Sequence, residues 1–312
     1  SAGITVTGSV GTTTSGTSNY IAGTNAGNSI ASGGNYNVAV GDEAGTAITT
    51  GDNNVLVGYA AGDAMTTAVN NIAIGQNALG AVTTAPSNVA IGTSAGKAMV
   101  TGTGENVLIG NLAGNAATTI SQSIVIGDNA IGAGVATGAG NVIIGDNAGY
   151  QLTSGANNVG IGGAALAVNT TGASNVAVGH SALALNITGT NNTAVGYGTL
   201  SANTTGATTP NTAIGLNAMT VTTSGGGNTA VGAWALDANT TGTNNLAFGQ
   251  NALTANTTAS SNIAIGHSAL SLNTTGASNV AVGGASMDEA TTASNNVAIG
   301  HGSGHSITTG GN

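Results

Sequence analysis

A short stretch, Asn followed by small apolar residues and then Gly, returns at a nearly fixed step through most of the chain. It reads Asn37-Val38-Ala39-Val40-Gly41 in its first copy and Asn296-Val297-Ala298-Ile299-Gly300 in its last. Between them its Gly falls at 58, 75, 92, 110, 127, 145, 162, 179, 196, 215, 232, 249, 266 and 283, which makes sixteen copies. Twelve of the fifteen intervals are 17 residues, two are 18 and one is 19. A step this short means a stack of supersecondary units, each burying its apolar face against its neighbours. Seventeen residues at about 3.3 Å each give a contour of about 56 Å, which suits two short strands and two turns. The expected fold class is all-β: a parallel β-solenoid (β-roll) of 17-residue coils, with two short strands per coil.

Counted from the core Gly, the three preceding residues are nearly all apolar, as in Ile72-Ala73-Ile74, Val142-Ile143-Ile144 and Leu246-Ala247-Phe248. Strand neighbours point to opposite faces. The outer two of each triplet therefore share a face, and the middle one takes the other. Apolar residues on both faces mean a strand covered on both sides. One cover is the coil interior, and the simplest second cover is another copy of the chain. Three residues after the core Gly stands Ala in thirteen of sixteen copies, for example Ala44, Ala78 and Ala182, and this marks the expected second strand. The next position is mostly Gly in the first half (Gly45, Gly62, Gly96) and Leu or Met from Leu166 through Met287. The interior, or an interface, is expected to change width near 150–165 without cutting the roll, which runs as one body over 37–312.

The Asn that opens each copy (Asn37, Asn54, Asn71, Asn88, Asn175 and Asn262 among them) is replaced once, by Ser123. Stacked once per coil, such Asn side chains bond to those above and below. With the core glycines Gly41, Gly58, Gly75, Gly92, Gly179 and Gly266 they form the expected structural ladder. Eight and nine residues after the core Gly comes a Thr pair. Thr49, Thr66, Thr83, Thr170, Thr204, Thr240, Thr257 and Thr274 are the first of each pair, and together they are the candidate surface for ice or for glycan. In the second half an Asn precedes the pair and a Gly often follows it, as in Asn169-Thr170-Thr171-Gly172, which reads as a corner. Asn169, Asn186, Asn191, Asn203, Asn239, Asn256 and Asn273 open Asn-x-Thr sequons. The only prolines, Pro86 and Pro210, precede a repeat Asn in the turn.

Residues 1–36 read as an N-terminal cap or joint, with Ile4-Thr5-Val6-Thr7 as a short strand and Asn19-Tyr20-Ile21-Ala22-Gly23 as a degraded first copy. The opening Ser1-Ala2-Gly3, without Met or signal peptide, reads as a processed mature chain or an excised piece. An open sheet edge at the far end, near Gly310, invites end-to-end stacking into a filament.

Composition sets the function classes. Charged residues are 4 % of the chain, the net charge is −9, and Lys97 is the only basic side chain. Nucleic-acid backbones and anionic lipid both require several cations, so neither is an expected partner. No apolar run is long enough to span a membrane. There is no Cys, so stability rests on the ladder.

The repeated Asn-Val-Ala-Val-Gly-x-x-Ala motif resembles the head repeats of trimeric autotransporter adhesins, the group typified by the Yersinia adhesin. The longer unit, as in Asn192-Thr193-Ala194-Val195-Gly196 with Asn203-Thr204-Thr205-Gly206, is similar to arrays in phage tail fibres and bacterial surface proteins. The resemblance covers about 37–312. It implies a left-handed parallel β-roll that forms a homotrimer, with one strand row on the threefold axis covering the apolar middle residues. The adhesin unit is shorter than 17 residues, and no stalk, anchor or neck pattern is seen.

No arrangement of Ser, His and Asp stands out from the repeat, and a periodic chain offers few unique positions for catalysis. His180, His267 and His301 each follow a core Gly, as do Asp42, Asp128 and Asp146. His267 and His301 are two coils, about 10 Å, apart, too far for one metal ion. Asp288-Glu289 reads as a solvated turn pair. No enzyme, cofactor or metal is expected. The sequence reads as an extracellular or surface-displayed structural or adhesive fibre protein, an adhesin head or filament subunit. Its expected partners are further copies of itself and a host surface or glycan. An ice-binding solenoid and a phage tail-fibre shaft on the virion are the alternatives.

Overall fold

The computed structural model describes residues 14–204 and 210–310. The strand expected at Ile4–Thr7, the residues Thr205 and Gly206, and the chain end at Gly311 and Asn312 lie outside them. The chain divides into two compact units between Ser154 and Gly155. Among the described residues no helix forms, and every strand is three residues long.

In the first unit the strands are β1 (Tyr20–Ala22), β2 (Val38–Val40), β3 (Val55–Val57), β4 (Ile72–Ile74), β5 (Val89–Ile91), β6 (Val107–Ile109), β7 (Ile124–Ile126) and β8 (Val142–Ile144). Each pairs in parallel with the next, triplet over triplet, so Val38 sits on Val55 and Ala39 on Leu56. The second unit repeats this with β9 (Val159–Ile161), β10 (Val176–Val178), β11 (Thr193–Val195), β12 (Thr212–Ile214), β13 (Thr229–Val231), β14 (Leu246–Phe248), β15 (Ile263–Ile265), β16 (Val280–Val282) and β17 (Val297–Ile299). Both units are therefore parallel β-solenoids, one strand per coil.

The second strand does not form among the described residues. After each core Gly the backbone alternates in sign. The second and fourth residues have positive φ, as at Glu43 (61°) and Gly45 (59°), Asn77 (55°) and Leu79 (51°), Ser268 (56°) and Leu270 (50°). A chain that turns left-handed at every other residue cannot extend into a strand. The inter-coil bonds continue regardless: Glu43 N–H donates to the Thr24 carbonyl at 2.8 Å, and Gly45 N–H to the Ala61 carbonyl at 2.9 Å. Left-handed Leu is costly away from Gly and Asn. It is held here because its side chain is fully buried and its amide is engaged in the next coil, as Leu270 N–H is with the Ser286 carbonyl at 3.0 Å.

The core holds the middle residue of each strand, not the outer pair. Ala39, Leu56, Ala73, Leu108, Val125 and Ile143 are fully buried in the first unit, and Ala177, Ala194, Ala213 and Ala264 in the second. This reverses the expected facing. The interior is narrow, and one side chain per strand, most often Ala, is what it admits. Ala44, Ala78 and Ala182, three residues after their core glycines, are fully buried as well.

The two units fill that space differently. In the first, Gly stands at the fourth position after most core glycines and a large apolar residue at the seventh: Gly45 with Ile48, Gly62 with Met65, Gly96 with Met99. A Cβ on Gly45 would lie 2.7 Å from Leu56 Cδ1 and 2.8 Å from Ile48 Cδ1, so the Gly makes room for them. In most coils of the second unit the fourth position is a buried Leu or Met and the seventh is Asn: Leu183 with Asn186, Leu253 with Asn256, Leu270 with Asn273. Close packing requires such compensation across an interior this thin.

Candidate functional site

The surface that most needs an explanation is the outward face of the strands. With the middle residues inside, the outer pairs point away from the core. In the first unit Val38, Val40, Val55, Val57, Val107 and Ile109 are half-buried, while Ile72 (36 %), Ile74 (38 %) and Ile91 (37 %) are exposed. In the second unit Ile161, Ile214, Phe248, Ile263 and Ile265 are exposed on the same face, interrupted only by Thr193, Thr212 and Thr229. In-register pairing stacks these residues directly over one another, so each unit carries a continuous apolar band two side chains wide. Soluble proteins rarely expose contiguous apolar surface of this kind unless it is an interaction site. The band is not the row assigned from sequence: the middle residues are interior, and the outer pairs are what a second body would cover.

The Asn that opens each copy is buried beside this band. Asn54 N–H and Nδ2 each donate to Asn37 Oδ1 at 3.0 Å, and Nδ2 also donates to the Ala68 carbonyl at 2.8 Å. Asn71 N–H donates in turn to Asn54 Oδ1, and Asn88 N–H to Asn71 Oδ1. In the second unit Asn175 and Asn262 are placed the same way, with Asn175 N–H on Asn158 Oδ1 and Asn262 N–H on Asn245 Oδ1. Ser123 keeps the chain of bonds, since its N–H donates to Asn106 Oδ1 and its Oγ accepts from Asn141 N–H. The core glycines stack directly: a Cβ on Gly41 would lie 2.5 Å from the Gly58 carbonyl oxygen, and one on Gly58, Gly75, Gly92, Gly179 or Gly266 would meet the next coil equally closely.

The first Thr of each pair is only partly open to solvent. Thr49, Thr66, Thr83, Thr170, Thr204, Thr240, Thr257 and Thr274 are half-buried. The hydroxyls of Thr49, Thr66 and Thr83 donate to the carbonyls of Thr66, Thr83 and Val100 at 3.1 to 3.2 Å, and those of Thr240, Thr257 and Thr274 do the same to Thr257, Thr274 and Thr291. The exposed member is the second Thr, as at Thr50, Thr67, Thr84 and Thr241. The sequon Asn residues at 169, 186, 203, 239, 256 and 273 are fully buried, so they offer no attachment point for glycan in the folded chain. Only Asn191 of that group is exposed. The buried ones make a second ladder: Asn186 Nδ2 donates to Asn169 Oδ1 at 2.9 Å, Asn203 Nδ2 to Asn186 Oδ1 at 3.1 Å, and Asn273 Nδ2 to Asn256 Oδ1 at 3.0 Å. It breaks at Thr222 and Ala290, where Asn203 Oδ1, Thr222 Oγ1 and Asn273 Oδ1 are left without a partner.

The titratable residues are scattered. His267, His301, Asp42, Asp128 and Asp146 are exposed. Asp288 and Glu289 are engaged with His305, whose Nδ1 lies 2.6 Å from Asp288 Oδ1 and whose Nε2 lies 3.5 Å from Glu289 Oε1. The hydrogen bond and charge of Asp288 hold the His305 pKa above the ordinary histidine value. A hydrogen bond to Glu43 raises the Tyr59 phenol, and burial raises the Asp63 carboxyl. Among the described residues no three His, Asp or Glu side chains gather closely enough to hold a metal ion, and no helix is long and apolar enough to cross a membrane. The feature missed at the level of sequence was the aromatic set. Its signal was scarcity: the lone Trp234 and lone Phe248 both fall on the outside of the second unit.

No family model matches the chain, and no curated protein matches it.

Proposed function

We propose that the chain is a non-catalytic module of an extracellular fibre, an adhesin head or tail-fibre shaft displayed on a cell or virion surface. It winds left-handed and works as a homotrimer whose copies cover one another's outward strand bands. The observation that carries this reading is the apolar band itself, Val and Ile stacked in register on the face away from the core. Full burial of an exposed Val or Ile side chain contributes about 1.5–3 kcal/mol. Ile72, Ile74 and Ile91 are 36–38 % exposed, so each adds only a fraction of that, repeated coil after coil. The resemblance to trimeric head repeats supplies the number of copies. The shortage of charge favours the same reading, because a band free of Lys, Arg, Asp and Glu meets its own copy without repulsion.

Introducing Lys at Ile74 and Ile91 tests it. The native chain should sediment as a trimer and the I74K/I91K variant as a monomer with the same circular dichroism. A native chain that is already monomeric at high concentration would remove the reading, and long filaments would replace it with end-to-end assembly.

A further inference from the structure

None of the five Tyr, the single Trp and the single Phe belongs to the core. The interior is built for Ala, Val, Leu, Ile and Met, so an aromatic ring in this chain does work other than packing inside. In the second unit four consecutive coils place a large side chain at the corner that follows the strand. His180, Tyr197 and Leu216, directly after their core glycines, stand in one column, and Trp234 stands in the column beside it, where the preceding coils carry Gly198 and Asn217. The row is fixed by its own backbone: Gly198 N–H donates to the His180 carbonyl at 3.0 Å, Asn217 N–H to the Tyr197 carbonyl at 2.9 Å, and Trp234 N–H to the Leu216 carbonyl at 2.9 Å. The rings of His180 and Tyr197 stack with centroids 5.4 Å apart and planes 11° from parallel. Ser181 Oγ lies 2.9 Å from His180 Nδ1 and fixes the imidazole from the side. Tyr197 is 58 % exposed, Leu216 41 % and Trp234 36 %.

We propose that this row binds an extended, uncharged glycan chain. Rings held rigidly on a surface present an apolar body with a polar tip, and they lose little entropy when a ligand seats on them. The hydroxyl of Tyr197, the indole N–H of Trp234 and the free nitrogen of His180 are such tips, suited to the hydroxyls around a sugar ring, while the ring faces and Leu216 meet its C–H face. Tyr197 and Trp234 are two coils apart, about 10 Å along the stack, the length of a disaccharide in an extended chain. Charge selects against the other ligands that stack on aromatic rings. Lys97 is the only Lys or Arg, and it belongs to the first unit, so the second unit has no fixed cation for a phosphate, sulfate or uronate. The row also lies outside the strand triplets, so it is a surface separate from the band assigned to self-association. The inference rests on the reading of the chain as a surface-displayed module and gives that module a ligand class.

Trp234 is the only Trp, so intrinsic fluorescence of the full chain reports on this row alone. The experiment titrates the native protein with cellohexaose, mannohexaose and xylohexaose, with polygalacturonate as the anionic comparison. At least one neutral chain should give a saturable blue shift, polygalacturonate none, and Tyr197→Ala should weaken the response tenfold or more while the mass by light scattering stays unchanged. His180→Ala, which removes the stacked partner, should weaken it by a smaller factor. No saturable change with any of the three neutral chains, an undiminished response in Tyr197→Ala, or preferential binding of polygalacturonate would overturn the proposal. Failure here with the oligomer intact leaves the self-association reading standing, and a monomer that still binds glycan separates the two in the other direction.

Discussion

Each ladder Asn commits its polar groups to its neighbours. Asn54 donates through its N–H and Nδ2 to the coil before it, through Nδ2 again to Ala68, and accepts at Oδ1 from both the N–H and the Nδ2 of Asn71. Removing it strands buried donors, which costs about 1–3 kcal/mol. Asn54→Ala should lose about that much in denaturant unfolding and should expose the amides of β3 and β4 to hydrogen exchange first. The second ladder predicts the opposite sign at its break. Thr222 is followed by Thr223, Ser224 and Gly225, the same turn that follows Asn169 and Asn239. Thr222→Asn should give Asn203 Oδ1 its donor and stabilise the second unit by about 1 kcal/mol, measured as a rise in the unfolding midpoint. At His305 the folded pKa lies above the unfolded one, so the pair with Asp288 contributes below the ordinary histidine pKa and is lost as pH rises through the raised value. The His305 ring resonances should titrate with a midpoint above the ordinary histidine value of 6.5, and Asp288→Asn should bring it back down. A midpoint unmoved by that substitution would mean the contact does not form.

At the scale of the element, three residues per strand decide everything about facing. A triplet puts either two side chains in and one out or the reverse, and when all three are apolar the alternation carries no contrast to tell which. That is why the repeat, the positions of the strands and the stacking Asn were legible in the sequence while the inward face was not. The expected second strand fails to form for a related reason. Ala at the third position and Leu at the fourth look like a strand edge, but Leu270, Leu253 and Leu183 sit at φ of 50–52°, a conformation propensity assigns to Gly and Asn. The corner Asn residues were placed in turns because Asn favours turns, and their burial followed from a partner seventeen residues away that no local rule sees. The core Gly has a sharper consequence. At Gly92, φ is +136° and a Cβ would lie 2.3 Å from the Gly110 carbonyl oxygen, a backbone atom that cannot move aside alone. Gly92→Ala should therefore destabilise the first unit by more than about 3 kcal/mol, strain and overlap adding. Gly310→Ala, with nothing within 4 Å of the added methyl, should be neutral by the same thermal melt.

At the scale of the whole molecule, 312 residues carry one basic and ten acidic side chains, and the strands of both units turn Val and Ile outward. None of those charges falls in a strand triplet, so the outward bands carry no like charge to hold copies apart, and their apolar surface gives the copies a reason to meet. The measurement that tests this most directly is the absolute mass of the native chain by light scattering across a wide range of concentration, beside the I74K/I91K variant. The account predicts a native particle of three times 29.1 kDa that persists on dilution, and a variant that falls to a single chain. A native particle of 29.1 kDa at every concentration would contradict it, because the outward bands would then face water with no partner to cover them.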